Sequence, residues 1–332
     1  MIFWIIGKKA LSLHQQFPPR LLTMRTRAEL IFYIPMKTYT KQPIEIADQI
    51  AILKNRGLVF DDEYSAAEYL RIISYFRLAN YWKPMESDKV NHIFKPNSNF
   101  ENVLTLYRFD KELRCLIFSA IQSIEIALRA KVTQIISSAY GAFWFANASL
   151  FSDTAIFDKC LTNIKDELKR SKEDFLIEHF EKYDEPPYPP AWKTLETSSF
   201  GTLSKLYCNF SDNGLKKQIA REFGLPQHLY FESWIRSLSV LRNYIAHHAR
   251  IWNRKYPWKP RLPKKLQRPW IHDMVSQEKL YAQLCCVAYL LDSIHSGYDF
   301  KQKLKALLTD YPIVDIAAMG FSSSWYDEPL WK

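Results

Sequence analysis

Glycine is scarce in this chain: only eight of the 332 residues are glycine. Folds built from many short strands need glycine at their turns, so this composition argues against a β-rich architecture. The long segments instead repeat apolar residues at intervals of three and four, which is typical of amphipathic helices. The sequence therefore predicts an all-α fold. It places helices over Phe100–Tyr140, Phe231–Arg254 and Gln277–His295 at the centre, and it predicts a single helix over Glu63–Lys83.

Cysteine is also scarce, and the usual cofactor motifs are missing. The five cysteines are an odd number, and no two of them have the C-x-x-C spacing of a zinc or redox site. Unpaired thiols are typical of a reducing compartment, so we expect a cytoplasmic protein without disulfides. The chain has no phosphate-binding glycine loop, no G-x-G-x-x-G and no H-E-x-x-H. We expect neither a metal nor an organic cofactor.

No hydrophobic run is long enough to cross a membrane, which takes about 20 apolar residues, so no membrane partner is expected. The apolar run MIFWIIG opens the chain without the positive flank of a secretion signal. The first 35 residues differ in character from the rest, and Met36 begins a new run, MKTYTKQPIEIADQI. We interpret residues 1–35 as an extension upstream of the true start (Met24 is the other candidate) or as a disordered tail. Residues 36–332 are then one all-helical domain.

Acidic residues are absent from the stretch between Glu232 and Asp273. The stretch holds ten cations, a number equal to the formal net charge of +10 of the whole chain. They are Arg236, Arg242, Arg250, Arg254, Lys255, Lys259, Arg261, Lys264, Lys265 and Arg268. Positive charge focused on one segment attracts polyanions, whereas scattered lysines mainly maintain solubility. We therefore expect this stretch to bind nucleic acid.

The predicted helix over Phe231–Arg254 has two different faces when it is drawn with about 3.6 residues per turn. One stripe is apolar and typical of a core face: Trp234, Leu238, Leu241, Ile245, Ala249 and Trp252. The opposite stripe is polar and carries no acid: Arg236, Ser239, Asn243, His247, Arg250 and Arg254. Arg242 lies about 140° round the helix from His247, close enough for its long side chain to approach the imidazole. His248 projects from the other flank.

The spacing Arg242-Asn243-x-x-x-His247 resembles the R-polar-x(3–5)-H motif of the HEPN superfamily of helical ribonucleases. The wider run LRNYIAHHARIWNR resembles the corresponding run of the Abi (abortive infection, AbiD/AbiF-like) family. Further blocks resemble the same family, among them FDKELRCLIFSAIQSIEIALRAKV, YPPAWKTLETSSFGTLSKLY and MGFSSSWYDEPLW. Together the blocks cover about residues 41–331.

The resemblance implies a HEPN-like helical bundle with additional N-terminal helices and long connecting straps. It also implies a metal-independent endoribonuclease of a phage-defence or toxin–antitoxin system, restrained by a neutralising RNA or protein. His247 would transfer a proton, Arg242 would hold the scissile phosphate, and Asn243 would place one or both of them. One histidine does not serve comfortably as both acid and base, so a homodimer is expected to supply the second. The alternative is an RNA-binding protein that uses the same basic cleft without turnover.

Two further sets of side chains are candidates for the site. Cations and rings of the basic stretch are expected to contact the phosphates and stacked bases of single-stranded RNA: Arg236, His248, Arg250, Arg254, Lys255, Trp258, Lys259, Arg261, Lys264 and Lys265. Alternatively, the stretch wraps over the bundle with its tryptophans inward, and His248 packs at the bundle edge. Glu125 and Arg129, four residues apart, either orient Arg242 or His247 or form a structural ion pair. Arg71, Arg77 and Asn80 on an earlier helix are interpreted as surface residues, with RNA contact as the alternative.

Overall fold

Helices make up most of the chain in the computed structural model, which describes residues 38–295 and 297–332. Within these ranges the only sheet is a pair of short antiparallel strands, β1 (Glu86–Asp88) and β2 (Ile93–Phe94). The prediction of an all-α fold is confirmed. The interpretation of residues 1–35 and the start at Met36 lie outside the described residues. Residues Ile46–Lys332 form one compact unit.

Twelve α-helices occur in the described residues, besides six short 3-10 helices. Three precede the hairpin: α1 (Ile46–Asn55), α2 (Glu63–Ile73) and α3 (Tyr75–Trp82). The next six are α4 (Phe100–Tyr140), α5 (Thr154–Arg170), α6 (Asp174–Lys182), α7 (Ala191–Thr194), α8 (Phe200–Asn209) and α9 (Asn213–Glu222). The last three are α10 (His228–Ala246), α11 (Leu280–Ser293) and α12 (Phe300–Asp310).

The long helix α4 lies at the centre of the bundle. It has 41 residues, which makes it about 60 Å long, and it packs against α3 and against each of α7 to α12. The Asn99 side chain caps its first turn by accepting from the amide of Glu101. Gly141 ends the helix with a φ of 81°, a conformation that favours glycine. The predicted bounds of this helix are confirmed.

The predicted single helix over Glu63–Lys83 is wrong, because the chain turns at Ser74 between α2 and α3. Ser74 has a φ of 76°, in the left-handed region where residues other than glycine are uncommon. Its amide closes α2 on the carbonyl of Leu70, and its hydroxyl accepts from the amide of Arg77 in the first turn of α3. The turn allows α3 to pack against α4.

The predicted helix over Phe231–Arg254 is also wrong beyond Ala246, where α10 ends. The amides of His248 and of the next residue bond back to the carbonyls of Ile245 and Tyr244, which is the pattern of a Schellman motif. His248 occupies the left-handed position of that motif with a φ of 55°, where glycine is usual. The residues after His248 therefore continue neither stripe of the helix.

The third central helix, α11, is buried on nearly all sides, as is typical of a core helix. Its predicted span, Gln277–His295, exceeds the observed one by two or three residues at each end. The C-terminal segment closes over it. Trp331 packs on Tyr281, and its indole nitrogen donates to the Tyr281 hydroxyl at 2.9 Å.

Candidate functional site

The three motif residues occupy the last turns of α10 and its end. Arg242 and Asn243 lie in the helix, and His247 is the residue that follows it, with a φ of −87°. The His247 amide bonds to the Asn243 carbonyl at 3.0 Å. The helical projection therefore holds as far as His247 and fails after it. Asn243 and His247 are exposed, whereas Arg242 is partly buried.

The polar stripe upstream of the motif is only partly exposed. Ser239 is buried, contrary to its predicted place opposite the core, because α8 packs there and brings Gly201 close to the Ser239 hydroxyl. Arg236 is exposed, and its guanidinium bonds to the Cys208 thiol, which raises the pKa of Arg236. Arg236 thus already has a partner within the chain.

Arg242 is held through a line of charged groups that begins on α4. Its Nε lies 3.8 Å from Oε2 of Glu125, and Oε1 of Glu125 accepts from Nη2 of Arg129 at 3.0 Å. Arg129 is buried and also donates to the carbonyls of Leu195 (2.7 Å) and Ser198 (2.9 Å). The Glu125–Arg129 pair is therefore fixed by the backbone, and it contacts the motif arginine.

A pocket of about 230 Å³ opens beside this line of charges. Its walls are Phe118, Gln122, Glu125, Ile126, Arg129 and Arg242. Neither Nη group of Arg242 has a hydrogen bond among the described residues. The planar end of the guanidinium is therefore available for a bidentate contact with an oxyanion.

The His247 imidazole is exposed and has no hydrogen bond or ion pair within the described part of the chain. Glu125 contacts Arg242 and not His247. Among the described residues, therefore, Arg242 and His247 are not linked through Glu125. Histidine is the side chain that most often serves as a general acid or base in enzymes.

Helix α3 supports the chain just after the motif. The guanidinium of Arg77 donates to the carbonyl of His248 at 2.8 Å, and that of Arg250 donates to the carbonyl of Asn80. The interpretation as surface residues applies to Arg71, which is exposed, and only in part to Arg77 and Asn80, which are partly buried in this contact. Burial lowers the pKa of Arg250. Sequence patterns do not reveal such contacts, because the acceptors are backbone carbonyls.

Asp110, on α4, is a site residue whose role the sequence does not reveal. It is completely buried and accepts from the Tyr81 hydroxyl at 2.7 Å and from the Arg114 guanidinium. Its Oδ1 accepts from the amides of Ile251 (3.0 Å) and Trp252 (2.7 Å). Burial raises the pKa of Asp110, and the charge of Arg114 and the other donors offset only part of that rise. The signal available in the sequence was a charge within an apolar seam, which requires partners.

The basic stretch is less positive than its sequence suggests, because several of its cations have partners. Lys255 and Lys259 lie 3.1 and 3.4 Å from the carboxylate of Glu278. The Arg254 guanidinium lies over the ring of Tyr244, 4.1 Å from its centroid. These side chains bind within the chain, and an RNA phosphate would compete with those contacts.

Other side chains of the stretch remain open to a ligand. Beyond α10, three exposed cations of the stretch have no ion pair among the described residues: Arg261, Lys264 and Lys265. Trp258 is 51% exposed, whereas Trp270 is buried and stacks on Trp234 with ring centroids 5.4 Å apart. The expectation that the tryptophans pack inward thus applies to Trp270 and not to Trp258. His248 is exposed as well.

A second buried carboxylate binds backbone amides at the C-terminal end of the basic stretch, as Asp110 does just after α10. Glu328, in the C-terminal segment, is buried, and its carboxylate accepts from the amides of His272 and Asp273, each at 2.7 Å. Asp110 and Glu328 therefore hold the two ends of residues 253–271, which we call the basic loop. Each carboxylate binds a pair of consecutive backbone amides.

Metal and membrane sites are not evident in the residues that the structure describes. No group of three or more histidine, cysteine, aspartate or glutamate side chains there could hold a metal ion. None of the described helices is long and apolar enough to span a bilayer. All five cysteines are free, and Cys115 is the exposed one.

A family described as Abi-like protein matches residues 68–253, more than half of the chain. The chain belongs to the Abi-like protein family. The matched region of this Abi-like chain contains Asp110, Glu125, Arg242 and His247. No curated protein and no solved structure matches the chain. Family membership suggests a role in abortive infection, a form of phage defence, and the link to the HEPN superfamily stays a prediction.

Proposed function

We propose that this Abi-like protein is a metal-independent endoribonuclease of the HEPN type that acts in phage defence, with Arg242 and His247 as its catalytic residues. The observation that carries the proposal is the end of α10, where a positioned arginine and a free imidazole stand at the start of a basic segment. Glu125 holds Arg242 near its Nε, which leaves the two Nη groups for a phosphate.

In the proposed reaction, the phosphoryl group passes from O5′ to the neighbouring 2′ oxygen of the ribose. The His247 imidazole takes the proton of the 2′-OH, and O2′ attacks the phosphorus. The bond from phosphorus to O5′ breaks, and O5′ takes a proton from a second acid. The products are a 2′,3′-cyclic phosphate and a free 5′-OH. Arg242 stabilises the negative charge that develops on the phosphoryl oxygens, and Asn243, one turn before His247, places the imidazole or the phosphate.

We propose a homodimer because the reaction needs a second acid to protonate O5′. A single imidazole would have to act on two oxygens at opposite sides of the phosphorus within one turnover. A second copy of the chain supplies another His247, so that two motifs face one cleft. In a toxin–antitoxin arrangement, a neutralising RNA or protein would occupy this cleft. An RNA substrate and free thiols fit a cytoplasmic protein.

Purified protein tests the proposal directly. We expect cleavage of single-stranded RNA to persist in EDTA, and we expect DNA of the same sequence to stay intact because it lacks the 2′-OH. Mass spectrometry of the fragments should find 2′,3′-cyclic phosphate ends. Loss of cleavage in EDTA, or equal cutting of DNA, would contradict this mechanism.

A second candidate function is RNA binding in the same cleft without turnover. One observation favours it: no described side chain orients the His247 imidazole, whereas catalytic histidines are commonly held by a third group. A parent protein that binds RNA and never cuts it would support this function.

The exposed cations of the basic loop are expected to contribute phosphate contacts. Each contact with a single strand contributes about 0.7 to the slope of log affinity against log salt concentration. Replacing three of them with glutamine should therefore reduce the slope by about 2: Arg261, Lys264 and Lys265. Lys259 is left in place because it pairs with Glu278. Fluorescence anisotropy titrations of labelled RNA at several salt concentrations measure the slope.

Lysines on and just after α5 give a matched control for this experiment. Lys159, Lys169 and Lys172 are exposed, and their replacement with glutamine removes the same charge from another surface. The control variant should keep the slope of the parent. An unchanged slope in the loop variant would refute the assignment of the basic loop to RNA binding.

A further inference from the structure

Phe76, in the first turn of α3, is the most exposed phenylalanine among the described residues, at 83%. Phenylalanine is one of the residue types that are most often buried. A second apolar residue, Ile72, is 81% exposed on the other side of the turn at Ser74. Single exposed apolar side chains are common, but these two flank one turn. The turn therefore presents an apolar surface, with an aromatic ring, to a ligand.

Phe76 lies beside the end of the catalytic motif, because α3 supports the chain there. Its neighbour Arg77 donates to the carbonyl of His248 at 2.8 Å. One turn after Phe76, the carbonyl of Asn80 accepts from the guanidinium of Arg250. The Asn80 side chain in turn donates to the carbonyl of Phe76 at 3.3 Å. These contacts place Phe76 on the surface next to the proposed catalytic site.

The charges around Phe76 favour a polyanion. No acidic residue occurs between Glu68 and Glu86, a stretch that includes all of α3. The stretch has three cations: Arg71, Arg77 and Lys83. Glu68 pairs with Arg71, whereas the other two have no ion pair among the described residues. Since α3 contacts the basic stretch just after α10, two acid-free stretches of the sequence meet beside the motif, and both contribute positive charge.

We infer that Phe76 is a stacking platform for an unpaired base of the RNA, close to the nucleotides bound at the motif. Proteins that hold single-stranded nucleic acid combine cations, which contact the phosphates, with exposed rings on which the bases stack. The basic loop supplies the cations, and α3 supplies the ring of Phe76. Stacking of this kind accepts any base, because every base has a π face. It favours single strands, whose bases can leave the stack of their neighbours.

The inference deepens the proposed function, because it rests on RNA as the ligand and names the part of the RNA that α3 binds. Arg242 and the basic loop are proposed to contact phosphates, which every nucleotide of RNA or DNA carries. Phe76 has no charge and no hydrogen-bonding group in its side chain, so it would contact the base instead. Measurements that separate bases from phosphates therefore test its role apart from that of the cations.

Two ligands of equal charge make this separation. One is a single-stranded oligouridylate, and the other is a ribose-phosphate strand of the same length without bases. Methyl groups on the 2′ oxygens keep both from being cut. Replacing one stacked aromatic residue with alanine typically weakens binding about 5- to 150-fold. We expect Phe76→Ala to lose affinity for oligouridylate by about that factor, and to bind the strand without bases like the parent. Fluorescence anisotropy measures both affinities.

Two further variants serve as controls. Phe76→Tyr keeps the aromatic ring, so it should bind both ligands like the parent. Phe180→Ala is the matched control, because Phe180 is another phenylalanine exposed on a helix, at 50%. It should also bind both ligands like the parent. Phe76 is exposed, so its replacement should not disturb the core, and far-UV circular dichroism checks the fold of each variant.

Three results would overturn the inference: an unchanged affinity of Phe76→Ala for oligouridylate, an equal loss on both ligands, or a parent that binds the two ligands equally. The outcome is independent of catalysis. If Phe76→Ala loses only the contribution of the bases and the parent never cuts RNA, the nuclease proposal fails alone. If the parent cuts RNA and Phe76→Ala keeps the contribution of the bases, this inference fails alone.

Discussion

Replacement of His247 by alanine is expected to lower the rate of RNA cleavage by about 10²–10⁴-fold, the usual contribution of a general acid or base. The imidazole is exposed and has no bond within the described part of the chain, so the fold should keep its stability. Single-turnover cleavage of a labelled RNA at saturating protein separates the loss in rate from any loss of binding.

His248 provides the matched control, one residue further along. Its φ of 55° suits asparagine, which tolerates the left-handed region, so His248→Asn removes the imidazole without straining the turn. We expect the rate to change by less than about tenfold, which corresponds to about 1.4 kcal/mol. Equal losses in the two variants would mean that His247 has no special role.

Arg242→Lys is a finer test of the same site. Lysine keeps the positive charge but lacks the planar fork that suits phosphate oxygens, so cleavage should fall more than RNA affinity does. If the His247 and Arg242 variants both bind and cut RNA like the parent, the nuclease proposal is wrong at this site. If the parent never cuts and both variants lose RNA binding, the RNA-binding function takes its place.

Replacement of Asp110 by alanine is expected to lower the free energy of unfolding by about 3–5 kcal/mol, as when one partner of a buried ion pair is removed. The change leaves Arg114 buried without its carboxylate. It also removes the acceptor of the Ile251 and Trp252 amides, and a buried donor without a partner is costly. Equilibrium unfolding in urea measures the difference.

A surface acid gives the control for this experiment. Glu68 pairs with Arg71 three residues away, and their side chains are 45% and 56% exposed, so Glu68→Ala should cost at most about 1 kcal/mol. Asp110→Asn keeps one acceptor oxygen but loses the charge, and its stability should lie between that of the parent and that of Asp110→Ala. A cost below about 1 kcal/mol for Asp110→Ala would show that this carboxylate does not fasten the segment after the motif.

The sequence predicted the ends of a helix where a capping residue or a glycine stands at that end. Helix α4 begins at an asparagine cap and ends at Gly141, both of which are recognisable in a sequence. The end of α10 has no such signal, because His248 takes the place of a glycine and the apolar spacing continues beyond it. The segment after α10 is held by Asp110 and Arg77, whose contacts join residues 141 and 171 positions apart. Contacts between residues so far apart in the chain produce no pattern in the sequence around either residue.

The sequence predicted those parts of the candidate site that lie in helices, because helical spacing indicates which side chains share a face. Arg242 and Glu125 are both helical, and their contact was one of two interpretations of the sequence. The number of cations in the basic stretch that have ion-pair partners could not be predicted, because the acids that pair with them belong to other parts of the chain. Glu125 lies beside Arg242, and Glu278 pairs with Lys255 and Lys259.

Asp110 and Glu328 bind the ends of the basic loop by backbone amides. Every amino acid except proline has such an amide, so neither attachment depends on which side chains the loop carries. The outward positions of the loop can therefore be substituted without removing either attachment. A protein engineer could exchange the side chains at these positions while both anchor points stay untouched.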